Sequence, residues 1–159
     1  MDELLKLLKQ NALESPANLA RMLGVTEQQV RERIAQYERA GVIRGYQAIV
    51  NTDQLDLDQV RAVIEIKVSP EREGGFNRIA ERVARFPEIE SLYLMSGTYD
   101  LLAVIEGRDL KEVAFFVSEK LATMQGILST ATHFMLKKYK EHGVMMEEGE
   151  EHERLKVSP

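Results

Sequence analysis

At 159 residues the chain has room for one ordinary domain or two small ones. A composition of 44% apolar and 30% charged residues is globular and excludes a disordered or collagen-like chain. No apolar run approaches the ~20 residues of a membrane-spanning helix, and the absence of cysteine excludes disulfides, thiolate metal sites and a cysteine nucleophile. The first ten residues, MDELLKLLKQ, carry charge from the second position and show no secretory pattern, so a cytoplasmic location is expected. The net charge of −5 is unevenly spread: residues 1–50 carry +1, residues 51–140 carry −2 and residues 141–159 carry −4. A single copy of the least acidic part would hold a phosphate backbone weakly, because such affinity rests on neutralised phosphates. Dimerisation or higher assembly has to supply the rest.

Leu4, Leu5 and Leu8 share one face and predict a helix from Met1 to about Leu13. Ser15 reads as an N-cap, and Pro16 stands at the first helical position, where a missing N–H costs nothing. Leu19, Ala20 and Leu23 form the inner face of a second helix that Gly24 ends. Thr26-Glu27-Gln28-Gln29 fits the capping box S/T-x-x-E/Q, and Val25 with Val30 can close a hydrophobic staple. The third helix is expected from Glu27 to about Ala40. Val30, Ile34 and Tyr37 face inward, Gln28, Glu32, Ala35, Gln36 and Arg39 face outward, and Gln29 and Arg31 lie on the flanks. Two helices joined by such a turn make a helix-turn-helix, whose second helix can enter a DNA major groove. Residues 42–50 read as a strand, either the wing of a winged helix or a linker strand.

A domain boundary is placed in the polar, turn-rich run 51–58, NTDQLDLD, which separates residues 1–50 from residues 59–140. Residues 60–68 alternate, with Val60, Ala62, Ile64, Ile66 and Val68 on one side. Phe76, Ile79, Ala80, Val83 and Phe86 give a helical stripe that Pro87 ends. Strands follow over 89–95 and 99–105. Asp109-Leu110-Lys111-Glu112 opens a helix to about Ala122, and a last strand runs from Ile127 to about Tyr139. The order β-α-β-β-α-β is that of the ferredoxin-like fold, so the fold class is α+β. Its antiparallel sheet would carry both helices on one face, and a second copy is the obvious cover for the other. Residues 141–159 are expected as an acidic, frayed tail.

The chain resembles the Lrp/AsnC, or feast/famine, transcription regulators over about residues 2–140. The resemblance rests on Leu19-Ala20, Gly24, Thr26, Val30, Arg33-Ile34, Glu38, the run Gly41-Val42-Ile43-Arg44-Gly45-Tyr46, and Ser96-Gly97-Thr98-Tyr99-Asp100-Leu101-Leu102 in the second half. It implies homodimers packed through their ferredoxin-like domains, further assembly to tetramers or octamers, and small effectors, typically amino acids, held near residues 97–100. Leu13 departs from the Arg that such proteins commonly carry there.

Double-stranded DNA and an amino-acid-like effector are therefore the expected partners, with no membrane, no cofactor, no metal and no catalytic residue. Gln28, Gln29 and Arg31 are candidate base readers, since Gln pairs with adenine and Arg with guanine. Thr26 is a candidate cap and phosphate contact. Gln29 has a competing role in the capping box. Arg33 and Arg39 read equally as DNA contacts or as partners of Glu38 or Glu32. Gly97, Thr98, Tyr99 and Asp100 are an ordinary hairpin turn in one reading. In the other, backbone N–H groups and Thr98 hold a carboxylate while Asp100 holds an α-ammonium, with Thr130 and Thr132 as secondary contacts. His133 reads as a packed or paired strand residue. His142 and His152 with Glu147, Glu148, Glu150 and Glu151 read as a solvated tail before a cation site. Tetrapyrrole decarboxylases resemble the same two-domain frame, and a non-DNA-binding effector sensor is a third reading, but no enzyme motif is present.

Overall fold

The computed structural model describes residues 2–55, 59–69 and 75–147, and the chain divides into two units, Met1–Val50 and Asn51–Pro159. The first holds α1 (Glu3–Gln10), α2 (Pro16–Leu23) and α3 (Glu27–Arg39). α1 is shorter than its leucine pattern suggests. The Asn11 side chain accepts from the Leu13 N–H at 3.1 Å and the Asn11 carbonyl accepts from the Glu14 N–H. Such a turn offers the backbone an alternative to a further helical turn. Leu13 is left 94% exposed. Ser15 caps α2 by accepting from the Asn18 N–H. Gly24, at φ +66°, ends α2 in the left-handed region, and the Val25 N–H returns to the Ala20 carbonyl. Leu4, Leu8, Leu19, Ala20 and Val30 form a small core, with Ile34 and Tyr37 of α3 packed against it.

The strand expected over 42–50 does not form. Val42 and Ile43 donate to the Tyr37 carbonyl and Ile43 packs on the core, but residues 44–50 are all exposed. A strand persists only when its N–H and C=O groups find a ladder partner.

The second unit runs β1 (Val60–Val68), α4 (Asn77–Ala84), β2 (Ile89–Leu94), β3 (Leu101–Gly107), α5 (Leu110–Phe115) and β4 (Ile127–Phe134). α5 passes directly into a π-helix over Phe116–Leu121, which buries Phe116, Val117 and Leu121. The four strands form an antiparallel sheet in the order β2-β3-β1-β4. On the helix-covered face Ala62, Ile64, Ile66, Leu101, Ala103 and Ile105 are buried against Ile79, Val83, Val113 and Phe116. At φ +96° Gly126 takes a conformation that strains any other residue, and a Cβ there would also crowd Ile79 Cδ1 at 2.8 Å. The other face presents Val63, Leu102, Val104, Tyr93 and Ala131, which the register places together, with Glu65 and Lys67 beside them.

The end of the chain differs from the expected tail. β4 stops at Phe134, and β5 (Lys140–Glu141) then pairs with β6 (Val144–Met145). His142 at φ +47° and Gly143 at φ +91° supply the two successive positive φ angles of a tight hairpin turn. Arg61 anchors this hairpin. Its Nη1 donates to Glu141, its Nε and Nη2 donate to Glu90, and Lys138 pairs with Glu141 at 2.5 Å. Met146 is 8% exposed, and its carbonyl accepts from Asn51 Nδ2 at 2.6 Å. Asn51 also caps the 3-10 turn Thr52–Gln54, so the run expected as a plain linker begins with an ordered turn. Residues 148–159, with Glu148, Glu150, Glu151 and His152, lie outside the described residues. Met146→Ala should lower the stability of this unit by about 2 kcal/mol, because it exposes a buried apolar side chain; urea denaturation of the full chain measures this, and an unchanged midpoint would show the hairpin to be undocked.

Candidate nucleic-acid interface and effector loop

The turn into α3 forms the capping box read from the sequence. Thr26 Oγ1 accepts from the Gln29 N–H at 3.2 Å, and Gln29 Oε1 accepts from the Thr26 N–H at 2.9 Å. The box takes up the Gln29 carboxamide oxygen and leaves its NH2 outward. Val30 is fully buried while Glu27, Gln28, Gln29, Arg31, Glu32, Arg33 and Arg39 are exposed, so the 3.6-residue period presents one polar face.

That face is internally paired. Arg31 donates to Glu27 through Nε at 3.0 Å and Nη2 at 2.5 Å, and Gln28 Nε2 donates to Glu32 at 2.7 Å. Arg33 pairs with Asp2 at 3.0 Å, a partner outside the two glutamates considered from the sequence. Asp2 also caps α1 through the Leu4 N–H and accepts from the Tyr37 hydroxyl. The Tyr37 hydrogen bond holds the Asp2 carboxyl below its ordinary value against the opposing effect of partial burial, with the Leu4 N–H and Arg33 adding to it. Arg33 thus fastens α3 to the start of α1, and its availability to DNA is reduced. Glu38 accepts from the Tyr46 hydroxyl at 2.9 Å, which binds the chain leaving α3 back onto that helix.

In the second unit, residues 95–100 join β2 to β3. The Met95 N–H donates to the Asp100 carbonyl at 2.8 Å and closes the loop. Gly97 takes φ +132°, a conformation that favours glycine, and Thr98 is exposed. Asp100 has a structural task. Its N–H donates to the Ile66 carbonyl at 3.0 Å, and its Oδ2 accepts from the Val68 N–H at 2.9 Å. Tyr99 is half-buried beside it. Thr130 and Thr132 pair with Ile66 and Ile64 across β1, which puts them on the helix-covered side of the edge strand. Asp100 and Thr130 therefore flank the same end of β1 from its two sides, while Thr132 lies two pairs further along. His133 is on the opposite face and stands 3.5 Å from Glu65.

The sequence left three of these roles undetected. Asp2 was visible only as an acidic residue before a helix. Its contact with Arg33 and Tyr37 bridges more than thirty positions and has no local signal. The same holds for Asn51 with Met146 and for Asp100 with Val68.

A capped helix-turn-helix followed by a βαββαβ unit defines a two-domain DNA-binding regulator. Residues 3–38 match the family profile described as the AsnC-type helix-turn-helix domain, and residues 61–145 match the Lrp/AsnC ligand binding domain. The chain belongs to the Lrp/AsnC family of transcription regulators. It is 43% identical to YugG of Bacillus subtilis, an uncharacterized HTH-type transcriptional regulator, over 99% of this chain and 95% of that protein. Among solved structures, E. coli AsnC superposes with a TM-score of 0.68 at 24% identity, covering 91% of this chain and 97% of that one. The Neisseria meningitidis regulator NMB0573, solved as a complex with L-Met, gives 0.67 at 23% identity over 89% and 93%. At those identities the structures speak for the fold. Family membership makes this chain a DNA-binding transcription regulator with a small-molecule-binding domain, and it decides against the tetrapyrrole-enzyme reading.

The Asp100 contact carries a direct consequence. Asp100→Ala should destabilise the second unit by about 1–3 kcal/mol by leaving the Val68 N–H without its acceptor, whereas Asp100→Asn, which retains an oxygen there, should lose less than half of that. Equal denaturation midpoints for the two variants would remove the contact from the account of the fold.

Proposed function

We propose that this regulator works as a homodimer, or a higher assembly built from dimers, that reads duplex DNA through α3 and responds to an amino acid bound at the second unit. The observation that carries the reading is the uncovered sheet face. An antiparallel sheet can turn one face to water, but that face then alternates to polar residues. Here Val63, Leu102, Val104 and Tyr93 lie together on it, with Glu65 between Leu102 and Ala131 and with Ser91 and His133 beside Val104 and Val63, and an apolar cluster rimmed by polar residues in this way marks an interaction surface. A second copy laid on the face would pair two near-neutral binding units, each too weakly charged to hold DNA alone. Paired recognition helices suit half-sites ~34–36 Å apart, or a multiple of that.

The effector reading rests on the ligand-binding profile over residues 61–145, on the L-Met bound in the Neisseria relative, and on residues 97–100. Thr98 and the loop N–H groups suit a carboxylate. Asp100 keeps one carboxylate oxygen beyond that used by Val68, and this oxygen suits an ammonium. Thr130 and Thr132 contribute from β4. Effector binding acts by favouring one assembly over another, a difference of typically ~1–3 kcal/mol.

Three outcomes test this. Gln28→Ala with Arg31→Ala should weaken DNA binding at least tenfold, given ~1–3 kcal/mol per base contact, and leave the mass by light scattering unchanged. Val104→Lys should instead halve the mass and weaken DNA binding with it; a dimer that survives would sink the sheet-face assignment. Among the twenty amino acids, at least one should raise the melting temperature of the full chain at millimolar concentration, and Thr98→Ala should diminish that rise. Twenty null shifts would refute the amino-acid reading.

A further inference from the structure

Glu27 and Glu32 stand on the face of α3 that must approach DNA, where a carboxylate repels phosphate. Neither is idle. Glu27 is one helical turn before Arg31, Glu32 is one turn after Gln28, and each carboxylate accepts from its neighbour's side chain. The two pairs lie side by side, so four residues form a two-by-two array on adjacent stripes of the helix.

What each pair leaves free is specific. Arg31 spends Nε and one hydrogen of Nη2 on Glu27. The far edge of the guanidinium, with Nη1 and the second Nη2 hydrogen, is left as the two-pronged donor that suits guanine O6 and N7. Gln28 spends one carboxamide hydrogen on Glu32. Its Oε1 and second N–H are left as the acceptor and donor that suit adenine N6 and N7. A glutamine carboxamide turns readily about its last torsion, and an exposed arginine has many rotamers. An unpaired reader would have to be ordered at the moment of contact.

We infer that Glu27 and Glu32 are positioning residues for base readout, which orient Arg31 and Gln28 in the free protein and trade affinity for any DNA against discrimination between sequences. The inference rests on the reading of α3 as the element that meets the bases.

The two possible roles of these carboxylates predict opposite results. As mere repulsive charges, their removal would raise affinity for all DNA alike. As positioning groups, their removal raises affinity for arbitrary duplex but erodes the preference for a selected sequence. The full-length protein is used to select from a library of randomised 25-base-pair duplexes, and the selected duplex is compared with its scrambled form for the wild type and for Glu27→Gln, Glu27→Ala, Glu32→Gln, Glu32→Ala and Glu38→Gln. Both Glu27 variants should bind the scrambled duplex several-fold more tightly. Glu27→Ala should lose about tenfold of the selected-over-scrambled ratio, the size of one base contact. Glu27→Gln should lose less, because its carboxamide oxygen can still accept from Arg31. The Glu32 variants should repeat the pattern at the base pair that Gln28 reads. Glu38→Gln, which removes an equal charge from α3 but no partner of a reader, should leave the ratio unchanged. Equal gains on both duplexes, with Gln and Ala alike, would overturn the positioning role. A wild-type protein that enriches no sequence would overturn the base-reading role of α3 itself.

Discussion

The sheet of the second unit has two faces and helices for only one of them. That constraint organises the molecule. The strand order β2-β3-β1-β4 sends both helical crossovers to the same side, where Ala62, Ile64, Ile66, Leu101, Ala103 and Ile105 meet α4 and α5. The other side carries the apolar Val63, Leu102, Val104, Ala131 and Tyr93 among the polar Glu65, Lys67, Ser91 and His133. Burial of apolar surface contributes about 25 cal/mol for each Å² removed from water, so an uncovered apolar face favours association. The proposed assembly then needs no device beyond this topology. In the proposed reading that assembly also serves the first unit, whose net charge of +1 gives a lone copy little hold on a phosphate backbone.

Charge on the first unit is arranged for order. Arg31, Arg33 and Gln28 each have a partner within the unit, so the polar face of α3 is pre-set. Exposed pairs of this kind add little to stability, about 0.2–0.5 kcal/mol each on a helix. Their effect is on geometry: side chains held in one orientation lose less freedom on contact. Asp2 is the exception in the group. It ties together the N-terminus of α1, Tyr37 and Arg33, and so helps hold a three-helix core with only five buried apolar side chains.

Elsewhere single polar side chains close the ends of the sheet. Asp100 supplies the acceptor that the Val68 N–H lacks where β1 leaves the ladder. Arg61 gathers Glu90 and Glu141 and fixes the terminal hairpin against the sheet end. These contacts leave the loop 95–100 anchored at its base and open at Thr98. In the proposed reading this rigid base and accessible tip suit a small-ligand loop.

Local chemistry made much of this legible from sequence alone. The capping box at Thr26, the left-handed Gly24, the stripe Val30-Ile34-Tyr37 and the alternation over 60–68 each depend on neighbours within a few residues, and each is realised. The resemblance added the family, and the profiles and relatives bear it out. Three things escaped. Residues 42–50 have strand composition but no ladder partner, and pairing is a tertiary property. Residues 141–147 look like the start of a frayed acidic tail but are held by Arg61 and Asn51. Asp100 and Arg33 were open to either a ligand or a structural role, and their protein partners, Val68 and Asp2, had no local signal. Sequence determined which segments are helix or strand and which face of each is apolar, because hydrophobic period and capping act over one or two turns. Only the tertiary structure decided that Asp2, Asn51 and Asp100 are spent inside the protein, because their contacts with Tyr37, Met146 and Val68 join residues more than thirty positions apart.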